Sequence, residues 1–178
     1  MRRALRSRGW RALARDRRGI AAVEFALVVP VVIVVYLAGF EAMEAATVYR
    51  KLTDTTVQIA NTTSQYTTMG AVDVANVLNA SAQIMTPYPT TNLTVVLSEV
   101  EVTDNSGVGH IVWTQQCQSS TSTVTMPSGF QTVGAYYILA QTTYAYQPMI
   151  GGAFVKPITM TNQIFMLPRG SPSIPCTG

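Results

Sequence analysis

The sequence predicts an α+β fold, in which a long N-terminal helix is followed by about four antiparallel strands. Three observations over the 178 residues lead to this prediction. An apolar run occupies 20–40, apolar residues recur every three or four positions from 41 to 85, and alternating segments separated by turn residues fill 93–167. A helical half that precedes a strand-rich half is typical of proteins whose helices pack on an antiparallel sheet.

Basic residues are concentrated at the N-terminus. Residues 1–19 hold eight of the twelve Lys and Arg residues together with one acid, whereas 20–178 hold four basic and eight acidic residues. No Lys or Arg occurs between Lys51 and Lys156. A protein that follows a phosphate backbone needs a basic stripe, so the body of the chain is not expected to bind nucleic acid.

The apolar run from Ile20 to Phe40 is long enough to cross a membrane. A helix of this length measures roughly 31 Å, against about 30 Å for the hydrocarbon core of a bilayer, and Glu24 is its only charged residue. A buried core helix is the competing interpretation, but the run has no polar face. By the positive-inside rule, the basic residues predict that 1–19 are cytoplasmic and that the chain after Phe40 lies outside.

A cleaved secretory signal peptide is a second competing interpretation. Such signals have an apolar region of about 7–15 residues that ends at a site of small residues. Here the uncharged run Phe25–Phe40 already has 16 residues. Cuts after Gly39, Ala42 or the alanines that follow would place large or charged residues where small ones are needed. Conventional signal cleavage is therefore not expected.

Gly19 and Glu24 fit a different processing event. A lone carboxylate in an apolar segment costs about 2.5–3.5 kcal/mol, and such residues usually have a partner. Cleavage after Gly19, between the basic leader and the helix, would give Ile20 a free ammonium one helical turn from Glu24. In a bundle of parallel helices, the ammonium of one subunit could neutralise the carboxylate of the next. The alternative is that Glu24 only extends to the inner membrane surface.

This segment also resembles the N-terminal signature of a known family. It reads Arg17-Arg18-Gly19-Ile20-Ala21-Ala22-Val23-Glu24-Phe25-Ala26-Leu27-Val28-Val29-Pro30. The basic pair, the glycine, the Val-Glu-Phe-Ala-Leu stretch and the proline inside the apolar helix resemble the TadE-like family, minor pseudopilins of the tight-adherence (Tad or Flp) pilus. The resemblance extends from Arg17 to about Arg50.

The resemblance implies a location, a set of partners and a role for this chain. A prepilin peptidase would cleave between Gly19 and Ile20 on the cytoplasmic side, and Glu24, Phe25 and Pro30 would belong to the motif used in processing or assembly. The helix would hold the protein in the bacterial inner membrane, in contact with lipid, other pilins or pseudopilins and inner-membrane assembly proteins. The protein would serve pilus assembly and surface adherence and could itself enter the pilus.

Pro30 favours a helix that packs against neighbours. It lacks an N–H and clashes with the preceding turn, so it predicts a kink near Ala26. Inside a membrane the freed carbonyl needs another partner. The small residues Ala21, Ala22 and Ala26 allow other helices to approach closely.

Beyond Phe40 the helix is expected to continue to about Tyr66, because no Gly or Pro interrupts it before Gly70. Its thin apolar stripe consists of Ala45, Val48, Leu52, Thr55, Ile59 and Tyr66. A second helix is expected from Val72 to about Met85. The predicted organisation is a leader over 1–19, a transmembrane helix over 20–40, an external helical region over 41–86 and an external β-rich domain over 87–178.

Alternating and Val-rich segments predict the strands of this domain. The predicted strands are Leu93–Thr103, Ile111–Trp113, Ala135–Tyr146 and Ile158–Met166. In the third of them, Tyr136, Ile138, Tyr144 and Tyr146 are expected to share one face. Residues 117–129 are rich in Ser, Thr and Gln and predict a polar loop.

The two cysteines predict a disulfide. Cys117 begins the polar loop and Cys176 lies near the C-terminus, both on the predicted external side, where thiols oxidise. A bond between them would close a loop of about 60 residues and stabilise the fold by roughly 4 kcal/mol in the chain-entropy treatment. It would also hold a Pro-rich tail that has no other evident attachment. Two free thiols are the alternative, because spacing alone does not show that the Cβ atoms meet.

The sequence predicts neither an enzyme nor a metal or cofactor site. His110, Asp104 and Ser106 are better explained as residues around a turn than as a catalytic triad. Two Cys and one His cannot complete a four-ligand zinc site without carboxylates. Two functions remain: a minor pseudopilin, which requires Gly19 together with Glu24, and an unprocessed, membrane-tethered periplasmic binding module with no role in a pilus.

Overall fold

The computed structural model describes residues 19–150 and 156–177, so the basic leader apart from Gly19 lies outside the described residues. The predicted α+β class is confirmed, since a long helix precedes an antiparallel sheet. The chain divides into two compact units, of which the first ends at Met43 and the second begins at Glu44.

Helix α1 runs from Ile20 to Thr63 and contains Pro30. It ends earlier than the predicted Tyr66, because the chain tightens after Thr63. The Tyr66 N–H donates to the Thr63 carbonyl at 3.1 Å, three residues back, as in a turn rather than an α-helix.

One stripe of α1 packs in the core of the second unit, as its three- and four-residue spacing predicts. The buried residues are Val48, Leu52, Thr55, Thr56, Ile59, Ala60 and Thr63. Its threonines are accommodated by hydrogen bonds within the helix and across to the sheet. The Thr56 hydroxyl is 2.7 Å from the Leu52 carbonyl, to which it donates, and 2.6 Å from the Thr142 hydroxyl.

Helix α2 runs from Ala71 to Ala82 and continues as a short 3-10 turn, Gln83–Met85. Together they cover the predicted second helix. Asp73 caps its start, since the Gly70 N–H donates to Asp73 Oδ2 at 2.9 Å and so satisfies a donor that the helix leaves open.

The main sheet has six strands rather than about four. The strands of the second unit are β1 Met69–Gly70, β2 Leu93–Glu101, β3 Val108–Thr114, β4 Gln118–Ser119, β5 Thr123–Thr125, β6 Tyr136–Tyr146, β7 Ile158–Met166 and β8 Cys176–Thr177. The order in the main sheet is β4-β3-β2-β6-β7, with β5 also paired to β3, and every pairing is antiparallel. Strands β1 and β8 form a separate parallel pair.

The two additional strands lie within the segment predicted as a polar loop. β4 and β5 are two and three residues long and are not fully buried. They have no apolar alternation that would indicate a strand, and they form because the edge of β3 offers unpaired backbone groups. The prediction of an entirely irregular 117–129 segment was therefore wrong.

Strand β6 is buried on both faces over Tyr137–Ala140, where the sequence predicted burial mainly on one. On one face Ile138 and Ala140 pack with Ile59 and Ala60 of α1. On the other face is a second cluster of Val100, Val102, Met126, Tyr137, Leu139 and Phe165, with Phe130 set edge-on to Tyr137 at 5.4 Å. The segment between β5 and β6 covers this face, which is why the strand alternates less than expected.

Candidate functional site

The predicted processing residues lie at the start of α1. Gly19 immediately precedes the helix, and Ile20 is 58% exposed. Glu24 is exposed one helical turn further on, so the backbone nitrogen of Ile20 and the carboxylate belong to adjacent turns. The sequence has no Lys or Arg between Arg18 and Arg50. The apolar segment therefore contains no basic side chain that could neutralise Glu24.

The apolar side chains around Glu24 are exposed. Phe25 is 71% and Leu27 70% exposed, and Pro30 is exposed as well. Among the described residues, one helix is long and apolar enough to cross a membrane, with a mean hydropathy of 2.7 over its most apolar 18-residue window, none of it buried. A surface of this kind needs lipid or other protein to cover it. It is consistent with a single-pass membrane anchor.

At the other end of the chain, a disulfide joins Cys117 to Cys176, with their Cα atoms 5.0 Å apart. Cys117 lies in the tight turn between β3 and β4 at a φ of 61°, and Cys176 lies in β8, opposite Met69 of β1. Both are partly buried against the cluster around Trp113 and Ile174. The bond thus attaches the C-terminal tail to the sheet.

The tail has a second attachment that sequence reasoning missed, built around a buried glutamate. Glu99 is 1% exposed and accepts two hydrogen bonds: from the Ile174 backbone N–H to Oε1 at 2.6 Å, and from Trp113 Nε1 to Oε2 at 2.9 Å. Trp113 Nε1 also donates to the Ile174 carbonyl at 2.8 Å. We call Glu99, Trp113 and Ile174 the tail clamp. The expectation that the tail lacks another attachment was therefore wrong.

A signal for the tail clamp is present in β2. Side chains of a strand alternate between its two faces, so Glu99 shares a face with Val95 and Leu97. Both of these pack in the cluster that contains Ile59 and Ala60 of α1. A carboxylate in the apolar register of a strand needs hydrogen-bond donors close by. Trp113, its cross-strand partner in β3, is one of them. The other donor comes from the tail and is not visible in any local pattern.

Burial dominates the electrostatics of the tail clamp. Desolvation raises the pKa of Glu99, while the hydrogen bonds from Ile174 and Trp113 lower it and the charge of Glu101 raises it further. The carboxylate is directed at backbone and indole donors within the core. This arrangement suits a structural attachment of the tail.

The polar residues near the β2–β3 turn mainly serve that turn. Asp104 Oδ1 accepts from the Ser106 N–H at 2.9 Å, and Ser106 Oγ accepts from the Val108 N–H at 3.3 Å. Hydrogen bonds from the Ser106 side chain and, to a smaller extent, from its backbone N–H lower the pKa of Asp104. His110 is exposed on β3. Asp104 and Ser106 therefore act in the structure as side chains that stabilise a turn.

The comparison with protein families matches the segment that the sequence singled out. A family model described as TadE-like protein matches residues 19–60. The resemblance to the TadE-like family is thus confirmed over this segment, which begins at Gly19 and includes Glu24, Phe25 and Pro30. No curated protein and no solved structure matches the chain.

Proposed function

We propose that this protein is a minor pseudopilin of a tight-adherence pilus, a membrane-anchored structural component needed for pilus assembly and surface adherence. The observation that supports this most is the TadE-like match over residues 19–60, which includes Gly19 and Glu24 on an exposed apolar helix. The match by itself favours a pilus-associated protein. The specific role in assembly is our proposal.

Processing would begin at the leader. With residues 1–19 on the cytoplasmic side of the inner membrane, a prepilin peptidase would cleave between Gly19 and Ile20. A Cβ placed on Gly19 would meet no atom within 4 Å, so glycine is not required there by packing within the described chain. We infer that the requirement for a small residue comes from the peptidase.

Assembly would then use the new N-terminus. The Ile20 ammonium of one subunit would pair with the Glu24 carboxylate of its neighbour, which removes the cost of placing either charge in an apolar environment. The exposed alanines and the kink that we expect near Ala26 would let neighbouring helices pack around Pro30. Other pilins or pseudopilins and inner-membrane assembly proteins are the partners that would complete this interface.

The decisive experiment is to determine the N-terminus of the protein extracted from membranes of cells with a working prepilin peptidase. Intact-mass measurement and N-terminal sequencing should find a chain that starts at Ile20. The matched control is the same chain in cells that lack the peptidase, where the leader should remain. A chain that retains the leader in both strains would contradict the proposal.

One observation favours the alternative of an unprocessed tether with a periplasmic binding domain. The sheet face away from α1 carries an open hollow of about 580 Å³, lined by uncharged groups such as Thr94, Gln141, Thr143 and Gln163. A surface of this composition can hydrogen-bond a neutral polar ligand. The alternative gains support only if the leader is retained.

A further inference from the structure

One edge of the main sheet is covered by short strands, and the other edge is open. β4 and β5 pair with the outer side of β3, whereas β7 ends the sheet on the opposite side. Among residues 19–150 and 156–177, no strand pairs with the outer side of β7. In an antiparallel strand, alternate residues direct both their N–H and their C=O to the same side. About half of the nine residues of β7 therefore present backbone donors and acceptors outward.

β7 lacks the features by which edge strands normally avoid pairing with other chains. Protected edge strands are short, charged, interrupted by proline or bulged. Ile158–Met166 is nine residues long, contains no charged residue and no proline, and pairs with β6 in one unbroken register. In the same sheet, the β2–β3 pairing is shifted between Glu99 and Val100. β7 is thus a regular template for one further strand.

Exposed apolar side chains lie beside this edge. The side-chain amide of Asn162 in β7 donates to the Thr53 hydroxyl of α1 at 2.8 Å, so this flank of the helix lies over β7. Tyr49 is one turn before Thr53 on the same flank and is 47% exposed. Leu167, directly after the strand, is 55% exposed. We call the outer edge of β7, together with Tyr49 and Leu167, the edge site.

The face of β7 away from α1 is polar and uncharged. Thr161 and Gln163 are exposed there, and they lie opposite Thr143 and Gln141 of β6. The Gln141 side-chain amide donates to Gln163 Oε1 at 3.3 Å. An added strand would extend these rows with its own side chains, because cross-strand pairs interact on each face. The edge site therefore favours a strand in which apolar and hydroxyl or amide side chains alternate.

Positive charge flanks β7 at both ends. Lys156 precedes the strand and Arg169 follows it, and no Asp or Glu follows Asp104 in the sequence. Two copies of β7 paired antiparallel about Asn162 would place Lys156 of one copy beside Arg169 of the other at both ends. Like charges at such positions are destabilising, which disfavours a second copy of this chain. A segment with an acidic residue at each end would be attracted instead.

We propose that the edge site binds an extended, uncharged segment of another protein, flanked by acidic residues, which adds to β7 as a further strand. Main-chain hydrogen bonds would hold the segment, and its side chains would contact Tyr49 and Leu167. This inference goes beyond the proposed function, because it concerns the second unit alone. It is unaffected if the leader is not removed.

The test uses the full chain in detergent and a labelled synthetic peptide in which Thr and Val alternate over nine residues between two glutamates. Fluorescence anisotropy measures binding, and amide hydrogen exchange locates it. We expect saturable binding. At a peptide concentration about ten times Kd, the outward amides within 160–166 should exchange about ten-fold more slowly. The matched control peptide has proline at two central positions, which removes backbone donors, and it should not bind.

Two variants test the charge and the exposed ring separately. Arg169→Gln should weaken binding about three-fold, as loss of a surface ion pair implies, and should not affect a peptide that ends in glutamine instead of glutamate. The Arg169 backbone N–H, which donates to the Ser64 carbonyl at 2.7 Å, is retained in this variant. Tyr49→Ala should weaken binding of both peptides. Val72→Ala, at an exposed apolar residue of α2, is the matched control and should change neither.

Several results would overturn the proposal. They are the absence of saturable binding, unchanged exchange within 160–166 when the peptide binds, and equal binding of the proline peptide. Equal affinity for the glutamate and glutamine peptides would overturn the acidic ends of the segment. If the same amides exchange more slowly as the concentration of the protein rises without peptide, a second copy occupies the edge and the proposal is wrong. The proposed function is tested separately, by the N-terminus of the extracted chain.

Discussion

The apolar helix of the first unit leaves its apolar side chains exposed, whereas the C-terminal tail of the second unit has an apolar side chain buried in the core. Phe25 and Leu27 of the helix are 71% and 70% exposed, whereas Ile174 of the tail is fully buried, at 0%. Within the tail clamp, the Ile174 N–H donates to Glu99 and the Ile174 carbonyl accepts from Trp113. The helix thus depends on lipid or other subunits, while the tail is completed within its own chain. Substitutions in the helix should change assembly, and substitutions in the tail should change stability.

The largest effect is expected at the cleavage site, where the response is nearly all or none. If the proposed processing holds, Gly19→Val should block removal of the leader, because a branched side chain replaces the small residue that we infer the peptidase requires, and Gly19→Ala should be processed. The measurement is the intact mass of membrane-extracted protein. Gly39→Val is a matched control, since a Cβ at Gly39 also meets nothing within 4 Å. Normal cleavage of Gly19→Val would show that processing takes place elsewhere or not at all.

Glu24→Ala should separate processing from assembly. Cleavage and membrane insertion should continue, because the change removes a charge from an apolar segment, yet piliation should be strongly reduced, because the neighbour's Ile20 ammonium loses its partner. Piliation is scored by electron microscopy at ordinary expression levels, with Glu41→Ala as the control. Normal piliation would mean that Glu24 only extends to the membrane surface.

Removing the disulfide should give the largest change in stability. The cysteines are 59 residues apart, and replacing both by alanine should lower the free energy of unfolding by about 4 kcal/mol in the chain-entropy treatment. Denaturant unfolding of the full chain in detergent measures this, and the leader should still be cleaved. Alkylation of both cysteines in unreduced, membrane-extracted protein would contradict the bond.

Disrupting the tail clamp should lower the free energy of unfolding slightly less than removing the disulfide does. Glu99→Ala leaves the Ile174 N–H without its acceptor and opens a void in the core, so we expect a loss of about 3 kcal/mol. Residues 167–177 should also become more sensitive to protease. The control Glu101→Ala, on the same strand but only partly buried, should cost less than about 1 kcal/mol. Equal losses for the two variants would show that the clamp has no special role.

The smallest effect is a pH dependence of stability. Burial raises the pKa of Glu99 above its ordinary value of 4.5, so the folded chain keeps this proton at pH values where the unfolded chain has released it. The stability that this proton adds to the fold is fully present below pH 4.5 and is lost as the pH rises through the raised pKa of Glu99. The Tm of the full chain should therefore fall modestly across that window, and Glu99→Gln should flatten the slope.

Asp104 provides the opposite control for the pH experiment. Ser106 lowers the pKa of Asp104 from its ordinary value of 3.8. The stability that the ionised Asp104 adds to the fold is therefore present above pH 3.8 and is lost as the pH falls through the lowered pKa. Asp104→Asn should change only the acidic side of the Tm profile. A profile of Glu99→Gln that parallels the wild type would show that Glu99 does not titrate in this range.

Much of the fold and part of the candidate site could be predicted from the sequence, because both depend on local patterns. The buried stripe of α1, α2 with its short 3-10 turn, and the positions of β2, β3, β6 and β7 follow from the spacing of apolar residues. The signature around Gly19 and Glu24 is contiguous, and the family comparison matches the same segment. The tail clamp was not predicted, since its members Glu99, Trp113 and Ile174 are distant in sequence.

By itself, the sequence determined which segments are helical or extended and which helix must find cover outside the chain. Periodicity and the length of an apolar run act within a few turns, so they can be read without knowing what packs against them. Only the tertiary structure decided that Glu99 is buried, that Ile174 closes the core beside it, and that β4 and β5 pair with β3. These features depend on donors and strand edges supplied from remote positions, because a buried polar group is stable only where the whole fold brings its partner.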